Sequence, residues 1–285
     1  MKAGMIGLGA MGAGMARNLA GAGYLAAVYN RTAATAQSLA EGLGVTAYAR
    51  PEALAAEVDV VLICVSADQD VLAIVNAIAG TIKPGSVVVD MSTVSSETAR
   101  QAAAILAERQ AAFLDAPVSG GVEGARKGTL AMMIGGDAEA LEKVRPVLGA
   151  MASRIMHMGP TGAGQSTKAV NQIMAAGINQ AVTEALAFGQ AQGLPMDKVI
   201  EVISGGAAGN WFLEHRGPTM TRGTFTPGFK LALHHKDLKI CQAMARQVGA
   251  SMTLIDMTLA DYEQLMAAGF GDEDISALYR LKNKL

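Results

Sequence analysis

The sequence predicts a doubly wound α/β domain in the first half of the chain and an all-α domain in the second half, joined by a long helix. Short apolar runs alternate with Ala-rich stretches of helical length up to about residue 160. After the loop Gly159-Pro160-Thr161-Gly162 the strand signals stop, and one uninterrupted helical stretch follows. A chain of 285 residues also exceeds the ~100 to 150 residues of a usual single domain. We therefore predict one domain over residues 1–161 and another over 162–285.

Apolar runs bounded by turn residues are predicted strands in the first domain, and the segments between several of them have the length of crossover helices. The strands are Lys2–Ile6, Leu25–Tyr29, Val58–Val65, Ser86–Met91, Phe113–Asp115, Leu130–Gly135 and Arg154–Met158, and the helices are Met11–Ala22, Thr32–Glu41, Gln69–Ala79 and Ser96–Gln110. This alternation predicts a mostly parallel sheet between helices. The predicted helices of the second domain are Ala163–Gln192, Met196–Ser204, Leu231–Val248, Ser251–Ala268 and Asp274–Lys284.

Composition excludes several classes of partner. A net charge of −2 gives no broad attraction for nucleic acid or anionic lipid. The longest apolar run, Val58–Val65, is far shorter than the ~20 residues of a membrane-spanning helix, and the glycine-rich N-terminus does not read as a signal peptide. Cys64 and Cys241 are widely separated, which favours a reducing compartment. We expect a cytoplasmic protein with neither nucleic-acid nor membrane partners.

The first predicted strand runs directly into Gly7-Leu8-Gly9-Ala10-Met11-Gly12, and a helix follows. In a dinucleotide site of the Rossmann type, Gly7 permits the tight turn, Gly9 lets the backbone approach the pyrophosphate, and Gly12 allows close packing of helix and strand. The helix N-terminus attracts the anion. The alternative is a glycine-rich turn of another α/β protein, but the strand and helix around the motif favour a dinucleotide site.

The residues after the second and later strands indicate which dinucleotide binds. Asn30-Arg31-Thr32 stands where an NAD-selective protein would carry an Asp or Glu, so NADP(H) is preferred and NAD(H) is the alternative. A solvated loop arginine is the other interpretation of Arg31. Cys64-Val65-Ser66 and Met91-Ser92-Thr93 should border the cofactor, since ligands bind beyond the carboxyl ends of parallel strands. Ser92 and Thr93 could instead cap the next helix.

Polar residues recur on one side of the long predicted helix, at Lys168, Asn171, Gln172 and Asn179. This stripe begins just after the domain boundary, and clefts between domains often bind ligands. Hydride transfer to an aldehyde needs a positioned acid for the carbonyl oxygen, and Lys168 can supply the proton. The alternative is a solvated face with an exposed lysine.

Two further segments offer binding groups. Asp115-Ala116-Pro117-Val118-Ser119-Gly120-Gly121 supplies a hydroxyl and flexible backbone amides that suit a carboxylate, although an ordinary turn has the same composition. We expect Glu123 and Lys127 to be solvated. Trp211 could form a wall of a substrate pocket or pack in a core or subunit interface. The four histidines, His157, His215, His234 and His235, lack metal-ligand spacing, so no metal is predicted.

Four ordered stretches carry a family resemblance over essentially the whole chain: GLGAMGAGMARNLA near the start, DAPVSGGVEGARKGTLAMMIGG from Asp115, GAGQSTKAVNQ from Gly162 and HKDLKI from His235. The chain resembles the β-hydroxyacid dehydrogenases, which include 3-hydroxyisobutyrate dehydrogenase and tartronate semialdehyde reductase. The resemblance implies that Lys168 is the catalytic acid and base and that Asn171 orients the substrate. It also implies that Ser119, Gly120 and Gly121 bind the substrate carboxylate, that Thr93 and Lys236 contact the cofactor, and that the protein is a homodimer or homotetramer.

The branch within the family rests on fewer positions. Gln172 is similar to the tartronate semialdehyde branch, because the 3-hydroxyisobutyrate enzymes usually carry a second Asn there. Asn30-Arg31-Thr32 and the segment Gly271–Tyr279 resemble NADPH-using reductases of glyoxylate or succinic semialdehyde. The alternatives are a decarboxylating enzyme like 6-phosphogluconate dehydrogenase, which has a larger helical domain, an imine reductase, which typically lacks the lysine, and a catalytically silent NADP-binding protein. We expect a reductase or dehydrogenase of a small 3-hydroxyacid or semialdehyde.

Overall fold

The computed structural model describes residues 1–283, and these form two compact units. The first unit is Met1–Lys168, and the second begins at Ala169, within the long helix rather than before it. The domain boundary between residues 161 and 162 stays a prediction. Lys284, where the last predicted helix was expected to end, and Leu285, the end of the second predicted domain, lie outside the described residues.

The first unit contains a mostly parallel sheet. Its strands in the described residues are β1 (Ala3–Ile6), β2 (Leu25–Tyr29), β3 (Thr46–Ala47), β4 (Val60–Ile63), β5 (Val87–Asp90), β6 (Ala112–Asp115), β7 (Val118–Ser119), β8 (Leu130–Gly136) and β9 (Ala152–Gly159). They are ordered β3-β2-β1-β4-β5-β6-β8-β7, with β9 also on β8. Strands β1 to β6 are parallel, whereas β8 is antiparallel to β6 and β7. The order β3-β2-β1-β4-β5-β6 is that of the Rossmann fold, whose topology reverses between β1 and β4.

Helices cover both faces of this sheet, which explains why its central strands are almost continuous apolar runs until their carboxyl ends. They are α1 (Ala10–Gly21), α2 (Ala33–Leu43), α3 (Pro51–Ala55), α4 (Asp68–Ile78), α5 (Ser96–Ala107), α6 (Gly121–Lys127) and α7 (Ala138–Leu148). Side chains alternate between faces, so Val60 and Leu62 of β4 join one hydrophobic cluster while Val61 and Ile63 join another. All four are fully buried.

The second unit is helical in its described residues. The long helix α8 (Ala163–Ala191) begins in the first unit and is followed by α9 (Met196–Ser204), α10 (Trp211–Met220), α11 (Leu231–Val248), α12 (Thr253–Ala267), a 3-10 helix (Ile275–Leu278) and α13 (Tyr279–Lys282). One hydrophobic cluster fills this unit and includes Leu238, Leu259 and Tyr262. The predicted fold class, a doubly wound α/β domain followed by an all-α domain, is confirmed. No helix of the described chain combines the length and apolar character that a membrane crossing requires.

Several predicted elements were wrong in extent or missing. Helix α5 ends at Ala107 rather than Gln110, whose φ of 56° is incompatible with a right-handed helix. The predicted helix from Asp274 is instead two short helices, and Asp274 is the N-cap of the first of them, where its carboxylate accepts from the Ser276 amide at 3.1 Å. The pattern also missed β3, β7, α3, α6, α7 and α10. Of these, α7 and α10 contain Pro146 and Pro218, which usually indicate a helix end.

Candidate active site

The three glycines of the turn after β1 are not required for the same reason. Gly7 has a φ of 92°, and a Cβ on it would lie 2.2 Å from the Cys64 carbonyl oxygen. A Cβ on Gly12 would lie 2.0 Å from the Gly7 carbonyl oxygen. Gly7 and Gly12 are therefore required by the fold itself. A Cβ on Gly9, by contrast, would meet no protein atom within 4 Å, so the open space at Gly9 suits a ligand that approaches the backbone closely, as a pyrophosphate does.

Helix α1 begins at this turn, and no side chain neutralises the partial positive charge of its N-terminus. Gly9 is its N-cap and offers no side-chain cap, and the first turn holds no acidic residue. The first backbone N–H groups of a helix lack intrahelical acceptors and favour an anion. The Leu8 amide is already used, because it donates to Asn30 Oδ1 at 3.0 Å. Asn30 therefore fixes the turn from the end of β2, and the residues present fit a dinucleotide.

Arg31 extends into solvent beside α4. Its side chain is 89% exposed, and Nη1 lies 3.4 Å from Oδ1 of Asp70. Thr32 follows as the N-cap of α2 without a side-chain hydrogen bond to the helix. The segment that follows β2 therefore offers the guanidinium of Arg31, the hydroxyl of Thr32 and the N-terminus of α2 to an anion. The first turn of α2 holds no acidic residue that would repel one.

The loops after β4 and β5 are tied together by Ser92. Its Oγ accepts from the Val65 amide at 2.9 Å, and its own amide donates to Asp90 Oδ1 at 3.0 Å. Ser92 is buried, Thr93 is half-buried and Ser66 is exposed. The alternative that Ser92 or Thr93 caps α5 is wrong, because Ser95 is the cap and its Oγ accepts from the Thr98 amide at 3.1 Å.

Two buried carboxyl groups lie side by side at the ends of β5 and β6, where Asp90 and Asp115 are paired in register. Asp115 accepts from the amides of Gly162 at 2.7 Å and Gln165 at 2.9 Å, and so caps α8. Burial raises the pKa of the Asp115 carboxyl and raises that of Asp90 to about 7. Neither carboxyl group was predicted as a site residue: Asp90 lay within a predicted strand, and Asp115 ended one and began the predicted binding loop. The available signal was an acidic residue at the end of each apolar strand.

Lys168 lies in the second turn of α8 and is almost completely buried, with 8% of its surface exposed. Its Nζ donates to the Val118 carbonyl oxygen at 2.9 Å. The end of β6 thus caps the helix through Asp115, and β7, which follows it, accepts a hydrogen bond from the lysine at Val118. The alternative of an exposed helical lysine is wrong.

The predicted carboxylate-binding segment lies next to Val118. Gly120 and Gly121 have φ values of 125° and 60° and are exposed, while Ser119 is half-buried. Gly120 is the N-cap of α6, and α6 is held against α1 because Asn18 Nδ2 donates to the Ala125 carbonyl oxygen at 2.7 Å. The direction of these backbone amides is therefore set by helix packing. As predicted, Glu123 and Lys127 are exposed; they form an ion pair on α6.

In the second unit, a chain of hydrogen bonds links α8 to α11. Asn171 Nδ2 donates to Gln172 Oε1 at 2.8 Å, and Gln172 Nε2 donates to Asp237 Oδ2 at 2.6 Å. Lys236 Nζ lies 2.9 Å from Asp237 Oδ1. Asp237 is only 5% exposed, so its carboxylate is held within the unit rather than in solvent. This chain connects the predicted substrate residue Asn171 with the predicted cofactor residue Lys236.

The remaining candidates of the second unit divide into structural and exposed groups. Asn179 is fully buried and donates to the Tyr262 hydroxyl and the Ile275 carbonyl, so it belongs to the core rather than to a site. His234 is fully buried beside the same hydroxyl, at 3.0 Å from Nδ1. Trp211 is 60% exposed and stacks on His215 with ring centroids 4.3 Å apart, so it is not a core residue. In the described chain, no group of three or more His, Cys, Asp or Glu could hold a metal ion.

A Rossmann unit with an uncapped glycine-rich helix start, followed by a helical unit, is an architecture found among nicotinamide-dependent oxidoreductases, and two family models place the chain in that class. Residues 2–159 match the NAD-binding domain of 6-phosphogluconate dehydrogenase. Residues 162–282 match the NAD-binding domain of NADP-dependent 3-hydroxyisobutyrate dehydrogenase. The chain belongs to the β-hydroxyacid dehydrogenase family of NAD(P)-dependent oxidoreductases, as the resemblance predicted.

Relatives in this family match nearly the whole chain. An NAD-dependent L-serine dehydrogenase of Pseudomonas aeruginosa is 38% identical, covering 97% of this chain and 96% of its own. A 2-hydroxy-3-oxopropionate reductase of Escherichia coli is 35% identical, covering 98% and 96%. The structure of a Mycobacterium tuberculosis 3-hydroxyisobutyrate dehydrogenase with L-serine superposes with a TM-score of 0.91, at 33% identity and 98% coverage of both chains.

Proposed function

We propose that the protein interconverts a small 3-hydroxyacid and its semialdehyde, as a 2-hydroxy-3-oxopropionate reductase does, with Lys168 as general acid and base. The observation that carries this proposal is the burial of Lys168, whose Nζ is held on the Val118 carbonyl beside the Ser119-Gly120-Gly121 segment. Burying a charged amine is costly, and an amine kept at such a position next to a ligand-binding loop is a candidate for function.

The nicotinamide cofactor supplies or accepts the hydride when it is bound. As a ketone or aldehyde carbon receives hydride, negative charge develops on its oxygen, and the Lys168 ammonium stabilises that charge and donates a proton. In the oxidative direction, the neutral amine accepts the proton of the alcohol. The low dielectric around the buried side chain strengthens both interactions.

We propose that Ser119, Gly120 and Gly121 bind the carboxylate of the substrate. The positive φ values of the two glycines are conformations that other residues rarely adopt, and Gly120 is the N-cap of α6, whose first backbone N–H groups lack intrahelical acceptors. In the second unit, we assign Asn171 to orient the substrate, Trp211 to line the substrate pocket and Lys236 to contact the cofactor. The substrates for which the relatives are named support a small 3-hydroxyacid, since L-serine and 3-hydroxyisobutyrate both carry a hydroxyl on the carbon two bonds from the carboxylate carbon.

We propose that the cofactor site is formed by the glycine-rich turn, the residues after β2 and the loops after β4 and β5. The turn contributes the backbone of Gly7 to Gly12. Beyond β2, β4 and β5, the proposed contacts are Asn30, Arg31, Thr32, Val65, Ser66 and Thr93. NADP(H) is the preferred cofactor in this proposal, because no carboxylate follows β2 to repel the 2′-phosphate and Arg31 is available to bind it.

Arg31→Ala should therefore weaken NADPH binding by about 10- to 100-fold, the loss of one or two charge-assisted hydrogen bonds, and leave NADH binding within about twofold. Titrating cofactor fluorescence on the purified protein measures both dissociation constants. Arg50→Ala is the matched control, because Arg50 is another exposed arginine paired with a carboxylate. Equal losses for NADPH and NADH would remove the phosphate role of Arg31.

We also propose that the protein is a homodimer or homotetramer. Large apolar side chains remain exposed along α8, including Met174 at 63% and Phe188 at 66%. Exposed apolar surface of this kind often marks an interface, and most soluble oligomers are symmetric. Light scattering coupled to size exclusion gives the mass in solution and distinguishes the two assemblies from a monomer.

The experiment that tests the proposed reaction measures NADPH and NADH oxidation by the purified protein with a panel of aldehyde acids. The panel contains glyoxylate, succinic semialdehyde, tartronate semialdehyde and methylmalonate semialdehyde, and the reverse assay uses L-serine and 3-hydroxyisobutyrate. Turnover that depends on Lys168 with one of these compounds supports the proposal and identifies the branch. Tight cofactor binding without turnover of any of them would instead favour a catalytically silent NADP-binding protein.

A further inference from the structure

Gln165, in the first turn of α8, holds the loop after β5 with both ends of its side-chain amide. Its Nε2 donates to the Ser92 carbonyl oxygen at 2.8 Å, and its Oε1 accepts from the Val94 amide at 3.2 Å. The side chain is 1% exposed. These two hydrogen bonds bracket Thr93, which is the residue of that loop proposed to contact the cofactor.

The backbone of Gln165 is fixed as well. Its amide donates to Asp115 Oδ2 at 2.9 Å, and Ser92 in turn holds the Val65 amide at 2.9 Å. Gln165 therefore joins the start of α8 to the ends of β4, β5 and β6. Lys168 follows one turn later on the same helix, where three residues span about 4.5 Å of helix axis.

We propose that Gln165 is a positioning residue that sets the placement of Thr93, and hence of the cofactor, relative to Lys168. The inference rests on the proposed function, since it assumes that Thr93 contacts the cofactor and that Lys168 transfers the proton. Hydride and proton must reach the same carbonyl group, so an error of about 1 Å in that placement can cost about 100-fold in rate. A side-chain amide suits this task because its carbonyl and N–H match the two backbone groups of the loop.

The same helix offers a matched control. Gln180 is also a buried glutamine of α8, 4% exposed, and its Nε2 is held by Thr258 Oγ1 at 3.3 Å and Asp261 Oδ2 at 2.8 Å. Its partners are residues of the second unit with no proposed catalytic role. Gln165→Leu and Gln180→Leu both remove two hydrogen bonds from a buried glutamine, so a comparable fall in melting temperature is expected for both.

The test compares kcat, KM and the primary deuterium isotope effect from 4-deuterated reduced cofactor in the two variants. Gln165→Leu should lower kcat by about 10- to 100-fold with a smaller change in KM, and should raise the isotope effect as hydride transfer becomes slower. Gln180→Leu should keep kcat within about twofold of wild type. A normal kcat in Gln165→Leu, or an equal loss in Gln180→Leu, overturns the proposal.

Gln165→Glu adds a readout that a purely structural role would not move. A carboxylate can accept from the Val94 amide but cannot donate to the Ser92 carbonyl, whereas the protonated acid can do both. Its kcat, divided by that of wild type at each pH, should therefore rise as the pH is lowered. A ratio independent of pH would count against the hydrogen bond to Ser92 as the cause.

Amide hydrogen exchange separates this inference from the proposed reaction, because it requires no turnover. In Gln165→Leu the Val94 amide loses its acceptor, so exchange of the 92–95 segment should become at least about tenfold faster than in Gln180→Leu. Unchanged exchange would show that the loop does not depend on Gln165. If the wild-type protein reduces no compound of the panel, the proposed function fails. The exchange experiment still shows whether the Gln165 side chain holds the loop after β5.

Discussion

Lys168→Ala is expected to lower kcat by about 1,000-fold or more while the dissociation constant of the cofactor changes less than threefold. General acid catalysis contributes about 100- to 10,000-fold, and the same ammonium also stabilises the developing oxyanion. The proposed cofactor site lies at the ends of β1, β2, β4 and β5, whereas the Lys168 side chain is held on the Val118 carbonyl. Steady-state kinetics with the best substrate of the panel, together with fluorescence titration of NADPH, measure the two quantities on one preparation.

Two companion variants make the lysine result specific. Lys168→Arg keeps a positive charge but cannot act as a base at accessible pH. If it lowers kcat as much as Lys168→Ala does, the role of Lys168 is proton transfer rather than charge stabilisation alone. Lys127→Ala removes an exposed lysine of the neighbouring α6 and should leave kcat unchanged. Retention of more than a tenth of wild-type kcat by Lys168→Ala would exclude the general acid role.

The architecture could be predicted because its signals are local. Parallel strands between two layers of helices are largely apolar runs, so β2 was predicted residue for residue and β4 and β5 within two residues at each end. Helices α9 and α11 were also predicted with their observed ends. Their apolar periodicity and the Gly residues that follow them, Gly205 and Gly249, mark a helix and its C-terminus.

Short or proline-containing elements could not be predicted in the same way. Strands β3 and β7 have two residues each, too few for any periodicity. Helix α6 begins at a pair of glycines that favour a turn, and it is stabilised by packing on α1, where Asn18 reaches the Ala125 carbonyl. Such tertiary contacts override local propensity and are not visible in the order of residues.

The same distinction applies to the candidate site. The glycine-rich turn was found because the positions that need glycine are close together in the chain. The hydrogen bond from Gln165 to Ser92 joins residues 73 positions apart, and the hydrogen bond from Gln172 to Asp237 joins residues 65 positions apart. A single sequence gives no sign of such pairs. For that reason Lys168 could be proposed from the sequence, whereas the groups that hold it and its neighbours required the structure.

Gly9→Ala is expected to weaken binding of both NADPH and NADH by at least about tenfold without changing the melting temperature. The added Cβ meets no protein atom within 4 Å, so the fold has no reason to resist it. It does occupy the space through which a pyrophosphate would approach the backbone at the start of α1. Fluorescence titration with each cofactor and a thermal melt of the apoprotein measure the two predicted outcomes.

Two glycines of the same helix provide the comparison. Gly12→Ala places a Cβ 2.0 Å from the Gly7 carbonyl oxygen, so it should lower the melting temperature as well as cofactor binding. Gly21→Ala lies at the other end of α1, where a Cβ also meets nothing within 4 Å, and should leave both quantities unchanged or raise stability slightly. Normal NADPH and NADH affinity in Gly9→Ala would mean that the dinucleotide does not approach the backbone at Gly9. The anion-binding role of the α1 N-terminus would then have to be abandoned, even though the fold and the family assignment would stand.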